Sequence, residues 1–300
     1  MRPDADDPGG GRLFVVATPI GNLGDVTLRA LEVVRAVPLV AAEDTRLTRR
    51  LLDRHGVAAR TVSYHARSAP SRLAELLAHL RGGADLALVT DAGTPSVSDP
   101  GEDLVAAWAA EGGVVVPIPG ASAVLAVVAA SAVAGPRWSF EGFLPRSGRE
   151  RRERLARIAA DERGTVIYEA PGRVAATLLD LAAACGADRP AAIGRELTKL
   201  HEEIVRGTLG ELADRARNGE LTLRGEFALV VGAWTAEAVG RTGPTAGSGA
   251  AAAGADVEAA LAEVERRVAA GSSRGDAART VAAETGIPRR RLYRIEGGRR

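Results

Sequence analysis

The sequence predicts an α/β protein with two α/β domains followed by a small C-terminal helical unit. Three observations lead to this prediction. Short apolar, β-branched runs alternate with amphipathic segments along most of the chain, as in strands joined by crossover helices. A length of 300 residues exceeds what one hydrophobic core ordinarily serves. An Ala/Gly/Thr-rich stretch, residues 235–255, has the composition of a flexible linker.

The first α/β domain is expected at residues 12–135, after a polar stretch, residues 1–11, that we expect to be disordered. Its strands are short apolar runs, and its helices repeat apolar residues at three- and four-residue spacing. Thr27 fits the N-cap of the first helix. Strands are predicted at 13–17, 39–42, 59–64, 86–90 and 114–118, and helices at 27–37, 47–55, 71–81, 102–111 and 122–130.

The second α/β domain is expected at residues 136–234, with more antiparallel pairing than the first. Its strands are predicted at 139–143, 165–168, 191–195, 202–207 and 227–232, and its helices at 149–160, 174–185 and 209–218. Beyond the linker, residues 256–300 form the C-terminal unit, with one helix at 257–270. Residues 275–294 then read as helix, glycine-containing turn and helix, the pattern of a helix-turn-helix.

The composition restricts the classes of function. A formal net charge of +1 provides no global field for nucleic acid, so any basic surface must be local. One cysteine, Cys185, excludes an intramolecular disulfide, and the four histidines lack metal-ligand spacing, so we expect no metal. Apolar runs are shorter than the roughly 18–20 residues of a membrane span. Because the N-terminus is also polar and acidic, we expect a cytoplasmic protein.

Three loops have an unusual density of glycine, proline and hydroxyl residues. They are TPIGNLGD at 18–25, TDAGTPSVSDPG at 90–101 and PIPGASAV at 117–124. Each follows a predicted strand, and ligands of open α/β sheets bind beyond the carboxyl ends of the strands. Glycine lets the backbone approach a ligand closely, and proline restricts the loop shape. The three loops together predict a small-molecule cleft.

Eight stretches, in this order, carry a family resemblance: LFVVATPIGNLGDVTLRALEVVRAV, AAEDTR, TDAGTPSVSDPG, PIPGASA, FEGFLPR, YEAPGR, RELTKLHEE and GEFALVV. They resemble the bacterial 16S rRNA ribose 2′-O-methyltransferases that modify a decoding-centre cytidine. That family belongs to the tetrapyrrole-methylase-like (class III) S-adenosylmethionine methyltransferases. The resemblance covers about residues 12–232 and extends to a C-terminal unit at 257–294. It implies a cleft between two domains that holds S-adenosylmethionine, 16S rRNA of the small ribosomal subunit as substrate, and a homodimer.

The resemblance also implies which residues contact the cofactor. For each of them, a turn residue without ligand contact is the alternative. The implied cofactor-binding residues are Ile20, Gly93, Thr94, Pro95, Ser98, Ala121 and Ser122 in the first domain, and Tyr168, Glu169, Ala170, Phe227 and Ala228 in the second.

A ribose 2′-hydroxyl is a poor nucleophile until it is deprotonated, so a general base is expected. The candidate catalytic residues are Asp91, Glu43 and Asp44, with His65 as a further candidate. Asp44 fits a helix N-cap equally well. The chain departs from the family at Ala66–Arg67–Ser68, where the family has Glu, His and Asn, and at Gly172, where it has His. These departures weaken the case for His65.

The RNA must also be held, and arginine suits phosphate because of its planar, bidentate fork. Candidate RNA-binding residues are Arg46, Arg146, Arg149, Arg151, Arg152 and Lys199, several of them in an arginine-rich helix that is alternatively a solvated face. The basic C-terminal unit is expected to dock RNA. Two rival functions stay open at this point: a small-molecule methylase of the tetrapyrrole pathway, and a DNA-binding regulator whose α/β part senses a ligand.

Overall fold

A computed structural model describes residues 10–233 and 260–285 of the chain. It contains two five-stranded sheets with helices packed on their faces, which confirms the predicted α/β class. Residues 1–9, the predicted linker at 235–255 and the second helix of the predicted helix-turn-helix lie outside the described residues. None of the helices in the described part is long and apolar enough to cross a membrane.

The first sheet is entirely parallel and has the strand order β3-β2-β4-β1-β5. Its strands are β1 (Leu13–Val16), β2 (Leu39–Ala42), β3 (Thr61–Ser63), β4 (Leu86–Val89) and β5 (Val115–Ile118). The helices between and after them are α1 (Leu28–Ala36), α2 (Thr45–Arg54), α3 (Pro70–Arg81), α4 (Glu102–Ala110) and α5 (Ala123–Ser131). The strand at 59–64 is shorter than predicted because β3 lies at the sheet edge, where it pairs with β2 alone.

Both faces of the first sheet are buried, which explains why its strands read as continuous apolar runs such as LVAA and LALV. Alternate strand residues face opposite sides. Phe14 and Val16 pack in a core with Val34 of α1 and Leu52 of α2. Residues of the other parity, such as Leu13, pack in a second core with α3 and α4. Thr27 accepts a hydrogen bond from Ala30 N–H and caps α1, as the sequence predicts.

The second sheet is mixed and has the strand order β6-β7-β10-β8-β9. Only the β6–β7 pair is parallel; the other three pairs are antiparallel. The strands are β6 (Trp138–Phe143), β7 (Gly164–Glu169), β8 (Pro190–Arg195), β9 (Glu203–Thr208) and β10 (Phe227–Val231), and the helices are α6 (Gly148–Ala160), α7 (Val174–Cys185) and α8 (Leu209–Arg217). A capping box between Thr208 and Glu211 begins α8.

Helices α6, α7 and α8 share one hydrophobic core with the second sheet. Helix α5 packs in a different core that also contains Val166 of β7 and Val230 of β10. Through α5 the first half of the chain is joined directly to the second sheet, and the edge of the first sheet that carries α5 is held beside β8 and β10. Arg189 lies fully buried, and its guanidinium donates hydrogen bonds to four backbone carbonyls, including those of Ile158 and Gly232.

The chain divides into two compact units, Met1–Arg241 and Thr242–Arg300. The first contains both sheets. In the second, residues 260–269 form helix α9, and α10 covers Arg274–Thr285. Their small core is made by Ala260, Val264, Ala277, Ala278 and Val281. Residue 135, where the sequence predicts a boundary between two α/β domains, lies between α5 and β6, inside the first compact unit.

Candidate functional site

A cavity of 380 Å³ lies between the loops of the first sheet and the β7–β10 region of the second. The three loops predicted to form a cleft follow β1, β4 and β5. In the sheet order these are neighbours, β4-β1-β5, and all are parallel, so the three loops leave the sheet at the same edge. Parallel pairing therefore brings together loops that are up to about a hundred residues apart in sequence.

The first two loops are tied to each other by backbone hydrogen bonds. Thr18 N–H donates to Gly93 O at 2.8 Å, and Gly93 N–H donates to Thr18 O at 3.1 Å. The Thr18 hydroxyl also donates to Thr90 O at 3.0 Å. Gly93 has a φ of +75°, a left-handed conformation that favours glycine. These bonds hold the loops in one shape without using the side chains that face the cavity.

The TDAGTPSVSDPG loop contains two further left-handed residues, Ser96 and Ser98, with φ values of 70° and 65°. Gly101 ends the loop at φ +123°, and a Cβ there would lie 2.6 Å from Leu88 Cδ2. Non-glycine residues in this region cost free energy and are concentrated at functional sites. The glycine, proline and hydroxyl residues that are concentrated in this loop therefore form a strained, tightly turned backbone beside the cavity.

The opposite wall comes from the second sheet and contains an aromatic cluster. The ring of Tyr168 lies 4.9 Å from that of Phe140 and 5.6 Å from that of Phe143. Burial, with the nearby Asp99 carboxylate, raises the pKa of Tyr168 to about 12. The phenol is therefore neutral at physiological pH, and this wall presents flat, largely apolar surface to a ligand.

Most of the residues that the family resemblance implies as cofactor contacts lie together around this cavity. Those lining it are Ile20, Gly93, Thr94, Ser98, Ser122, Tyr168, Glu169, Ala170, Phe227 and Ala228. Pro95 and Ala121 do not line it: Pro95 is buried within its loop, and Ala121 packs against the core beside α5. The Glu169 carboxylate is fully buried and is engaged by Thr177 at 2.6 Å and Arg173 at 3.3 Å, so it braces the wall from behind.

The cavity has further lining residues that the sequence-based assignment of cofactor contacts omits. Among them are Val97, Asp99, Phe143 and Leu197. Asp99 stands within the DPG end of the second loop, so its position beside Ser98 was a signal in the sequence. No local pattern marks Phe143 or Leu197, because they reach the cavity only through the placement of the second sheet.

The candidate catalytic carboxylates form a cluster at the ends of β2 and β4. Asp44 N–H donates to Asp91 Oδ1 at 2.9 Å, and Asp91 N–H donates to Glu43 Oε2 at 3.2 Å. None of the three lines the cavity itself, but Asp91 directly precedes the lining residue Ala92. Burial, together with the charges of Glu43 and Asp91, raises the pKa of Asp99 to about 7. The cluster therefore extends from the cavity wall to the start of α2.

Asp44 caps α2, one of the two roles that the sequence leaves open. Its Oδ1 accepts the Arg46 N–H at 2.8 Å, and its other oxygen pairs with the Arg46 guanidinium at 2.7 Å. The hydrogen bonds from Arg46 lower the pKa of Asp44 to about 2. His65 lies in the turn after β3, where its Nδ1 accepts the Arg67 N–H at 3.1 Å.

The candidate RNA-binding arginines of the α6 region differ in accessibility. Arg146 and Arg152 are exposed, and neither has an ion-pair partner in the described part of the chain. Arg149 is exposed and pairs with Glu153 at 2.6 Å. Arg151 contradicts the expectation of a surface contact. It is buried, and its guanidinium binds Asp180, Thr177 and the Pro145 carbonyl, because this face of α6 packs on α7.

Lys199 is the only lysine of the chain and lies between β8 and β9, next to the first of the three loops. Its ammonium group binds Glu196 at 2.9 Å and the cavity-lining Glu226 at 3.1 Å. Partial burial lowers the pKa of Lys199, but the hydrogen bonds to both glutamates outweigh burial and leave the pKa raised. A Cβ at Gly21 would lie 2.5 Å from Lys199 Cγ, so the lysine stem packs directly on the first loop. Lys199 thus links the two walls of the site. Both of its ion pairs are with glutamates of the same chain.

Residues 12–213 match the family model described as Tetrapyrrole (Corrin/Porphyrin) Methylases. The chain is 44% identical to the ribosomal RNA small subunit methyltransferase I of Synechocystis, over 95% of this chain and 97% of the relative. It is 41% identical to the protein of the same name from Bacillus subtilis, over 74% of this chain and 75% of the relative.

The chain belongs to the ribosomal RNA small subunit methyltransferase I family. This family membership confirms the resemblance stated from the sequence motifs. It favours the rRNA interpretation over the small-molecule methylase and the DNA-binding regulator, the two rival functions.

Solved structures show the fold of this ribosomal RNA small subunit methyltransferase I family member. A cobalt precorrin-4 methyltransferase aligns with a TM-score of 0.57 at 18% identity, covering 74% of this chain and 94% of that one. A uroporphyrin-III C-methyl transferase from Thermus thermophilus, complexed with S-adenosyl homocysteine, aligns with a TM-score of 0.54 at 20% identity, covering 76% and 99%. At these identities the likeness concerns the fold alone, and it confirms the tetrapyrrole-methylase-like architecture.

Proposed function

We propose that the chain is an S-adenosylmethionine-dependent methyltransferase that 2′-O-methylates the ribose of a decoding-centre cytidine in 16S rRNA. The observation that carries this proposal is the 380 Å³ cavity built from the three motif loops in a member of the ribosomal RNA small subunit methyltransferase I family. The cavity lies within the usual range of small-ligand sites, roughly 300–1,000 Å³.

The residues of the cavity fit S-adenosylmethionine chemically. The cofactor is cationic at its sulfonium and amino groups, and Asp99 offers a carboxylate in the cavity wall. Its adenine needs a flat apolar surface, which the Tyr168 and Phe143 rings provide. When bound, the cofactor supplies an electrophilic methyl group on sulfur. In the proposed site Gly93 and Ile20 shape one wall around it, and Phe227 and Ala228 shape the other.

The protein residues must orient the ribose hydroxyl in line with the methyl group and accept its proton. We assign the proton-accepting role to Asp91, because it directly precedes the cavity wall and has its carboxylate oriented by the Asp44 N–H. Glu43 accepts the Asp91 N–H and acts as a positioning residue. Asp44 caps α2 and carries its charge against Arg46, so we assign it a structural role rather than a catalytic one.

The substrate is too large for the cavity and must be held by the surface around it. We propose that exposed arginines near the site, Arg46, Arg146, Arg149 and Arg152, contact RNA phosphates, and that the C-terminal unit adds a second contact. We further propose a cytoplasmic homodimer. The most exposed large apolar side chains of the described first unit, Leu28 at 79% and Leu200 at 92% exposure, are candidates for subunit contact.

The test is to map ribose methylation of the decoding-centre cytidine in cells that have the gene, lack it, or carry Asp91→Asn. We expect methylation in the first strain and none in the strain that lacks the gene. The methylation rate of Asp91→Asn should fall at least about a hundredfold, the size typical of removing a general base. Purified protein with isotopically labelled cofactor, given 30S subunits and naked 16S rRNA in parallel, identifies the substrate form. Unchanged methylation in the strain without the gene would refute the assignment, and full activity of Asp91→Asn would refute the role of Asp91.

A further inference from the structure

Helix α2 is strongly two-sided. Its buried face consists of Thr48, Leu51 and Leu52, which pack toward the first sheet. The opposite face carries arginines at three- and four-residue spacing, so that they form one stripe along the helix. The stripe consists of Arg46, Arg49, Arg50 and Arg54, all exposed.

The arginines of this stripe differ from those of other helices in their partners. Many exposed arginines of other helices are neutralised by neighbouring acids, as in the pairs Arg72–Glu75, Arg81–Glu111 and Arg217–Asp214, although Arg152 of α6 has no ion-pair partner in the described residues. Within the part of the chain that the structure describes, Arg49, Arg50 and Arg54 form no ion pair, and only Arg46 is paired, through the capping residue Asp44. Unpaired guanidinium groups are available to an external anion.

Helix α1 extends the same charged surface. It packs beside α2 on one face of the first sheet, where Ala30 and Val34 share a core with Leu52. Its Arg29 and Arg35 are also exposed and enlarge the basic surface beside the α2 stripe. The two helices together contain six arginines and only two acidic residues, Glu32 and Asp53. A local excess of positive charge therefore exists on a chain whose formal net charge is only +1.

The stripe begins at the rim of the proposed active site. Asp44, the cap of α2, donates its N–H to Asp91, which precedes the cavity-lining Ala92. Ten helical residues span about 15 Å, so the arginines extend about that far from the rim. Along this path the charge changes sign, from arginines on α2 to the carboxylates Glu43, Asp91 and Asp99 at the site.

We propose that α1 and α2 form a phosphate-binding track for the RNA strand that enters the active site, an inference that rests on the proposed rRNA substrate. Arginine forks bind phosphates of successive nucleotides along the track. The carboxylates at its end repel phosphate, so the strand must turn there and present a ribose rather than a phosphate to the acidic rim. The track thereby selects both the position and the orientation of the nucleotide that is methylated.

The test uses the full-length protein with Arg49→Gln, Arg50→Gln and Arg54→Gln combined. The matched control removes three paired arginines, Arg72→Gln, Arg81→Gln and Arg217→Gln, and so causes the same change in net charge. Affinity for 30S subunits and for a 16S rRNA fragment is measured between about 50 and 200 mM salt, with cofactor affinity and Tm measured in parallel.

We expect the track variant to bind RNA about tenfold or more weakly, with a slope of log affinity against log salt reduced by about 2 to 3, because each phosphate contact contributes about 0.7 to 0.9. Cofactor affinity and Tm should match wild type, and the control should keep the wild-type slope. The corresponding triple lysine variant should recover much of the slope, since it restores charge. If the track variant fails to fold, Arg50→Gln and Arg50→Lys give the same comparison at about one third of the change in slope.

A wild-type slope and affinity in the track variant would overturn the track and leave the proposed function intact, provided that wild-type protein methylates the subunit. Absence of methylation by the wild-type protein would instead refute the proposed function. Equal losses in the track variant and the control would show that net charge alone governs binding, which would also overturn the track.

Discussion

At the scale of single residues, Asp99 connects the electrostatics of the site to ligand binding. It lines the cavity, and burial together with Glu43 and Asp91 raises its pKa to about 7. A bound cation favours the carboxylate and lowers that pKa. The affinity for a cationic cofactor is therefore linked to the protonation of Asp99 near neutral pH.

We expect wild-type affinity for S-adenosylmethionine to weaken as pH falls from about 8 to about 6, because Asp99 becomes protonated in the empty protein. Asp99→Asn should bind about tenfold or more weakly at pH 8 and show a much flatter pH dependence. Calorimetric titration at several pH values measures both. Asp99→Asn with wild-type affinity and pH profile would remove this residue from cofactor recognition.

The raised pKa of Asp99 also affects the stability of the empty protein. The ionised carboxylate favours cofactor binding at high pH, but in the empty protein it lowers the free energy of unfolding there. A raised carboxyl pKa disfavours the folded state as pH rises from about 4, where the unfolded chain ionises, to about 7, and the cost is constant above that. Asp99→Asn should therefore raise the Tm of the empty protein at pH 8 and leave it nearly unchanged below pH 4. A lower Tm at pH 8 would mean that the carboxylate is stabilised by contacts in the folded chain.

At the scale of elements, α6 shows that one arginine-rich helix serves two purposes. Arg151 is buried among Asp180, Thr177 and the Pro145 carbonyl, whereas Arg152 on the next position is exposed without an ion-pair partner in the described residues. Adjacent helical positions face about 100° apart, so neighbours in sequence face the α7 interface and solvent. Sequence composition alone does not separate them, because both read as arginine in a basic run.

We expect Arg151→Met to lower the free energy of unfolding by about 2 kcal/mol, because it removes the hydrogen bonds that the charged guanidinium donates to Thr177 and to the Pro145 carbonyl in the α6–α7 interface. Arg152→Gln should leave stability within about 0.5 kcal/mol of wild type and weaken RNA binding instead. Urea denaturation and 30S binding, applied to both variants, separate the roles. Equal stability of the two variants would show that the buried network contributes little to the fold.

At the scale of the whole molecule, the proposed cofactor site lies entirely within one compact unit. Every residue that lines the cavity falls between positions 20 and 228, and the first unit covers Met1–Arg241. The described helices of the second unit have a core of their own. The described residues that line the cavity and those that form the core of the second unit therefore belong to different parts of the chain.

We expect a chain ending after residue 241 to fold and to bind S-adenosylmethionine within about twofold of the full-length affinity, since no cavity residue is removed. Its affinity for 30S subunits should fall, because the basic C-terminal unit is expected to contact RNA. Calorimetry and filter binding on both chains test this. Loss of cofactor binding would show that the C-terminal unit supports the site, and unchanged 30S affinity would exclude it from RNA binding.

The sequence by itself determined the elements and the three loops. Apolar periodicity predicts nearly every described helix and strand. Both faces of the first sheet and one face of each helix are buried, so apolar residues recur in the sequence with the spacing of the buried face. The Gly/Pro-rich loops after β1, β4 and β5 were recognisable because left-handed positions such as Gly93 and Gly101 restrict residue type. The family followed from the motifs that these loops carry.

The tertiary structure alone decided which distant groups meet. The order β4-β1-β5 brings the three loops to one edge, and α5 holds that edge against the second sheet, where Phe143 and Leu197 complete the cavity. Burial and neighbouring charge are not local properties of the sequence. They raise the pKa of Asp99 and lower that of Asp44. They also place Arg151 in a buried network and leave Arg152 in solvent. Local pattern encodes which face of an element is buried, but not which other element covers it, and the chemistry of the site depends on that second choice.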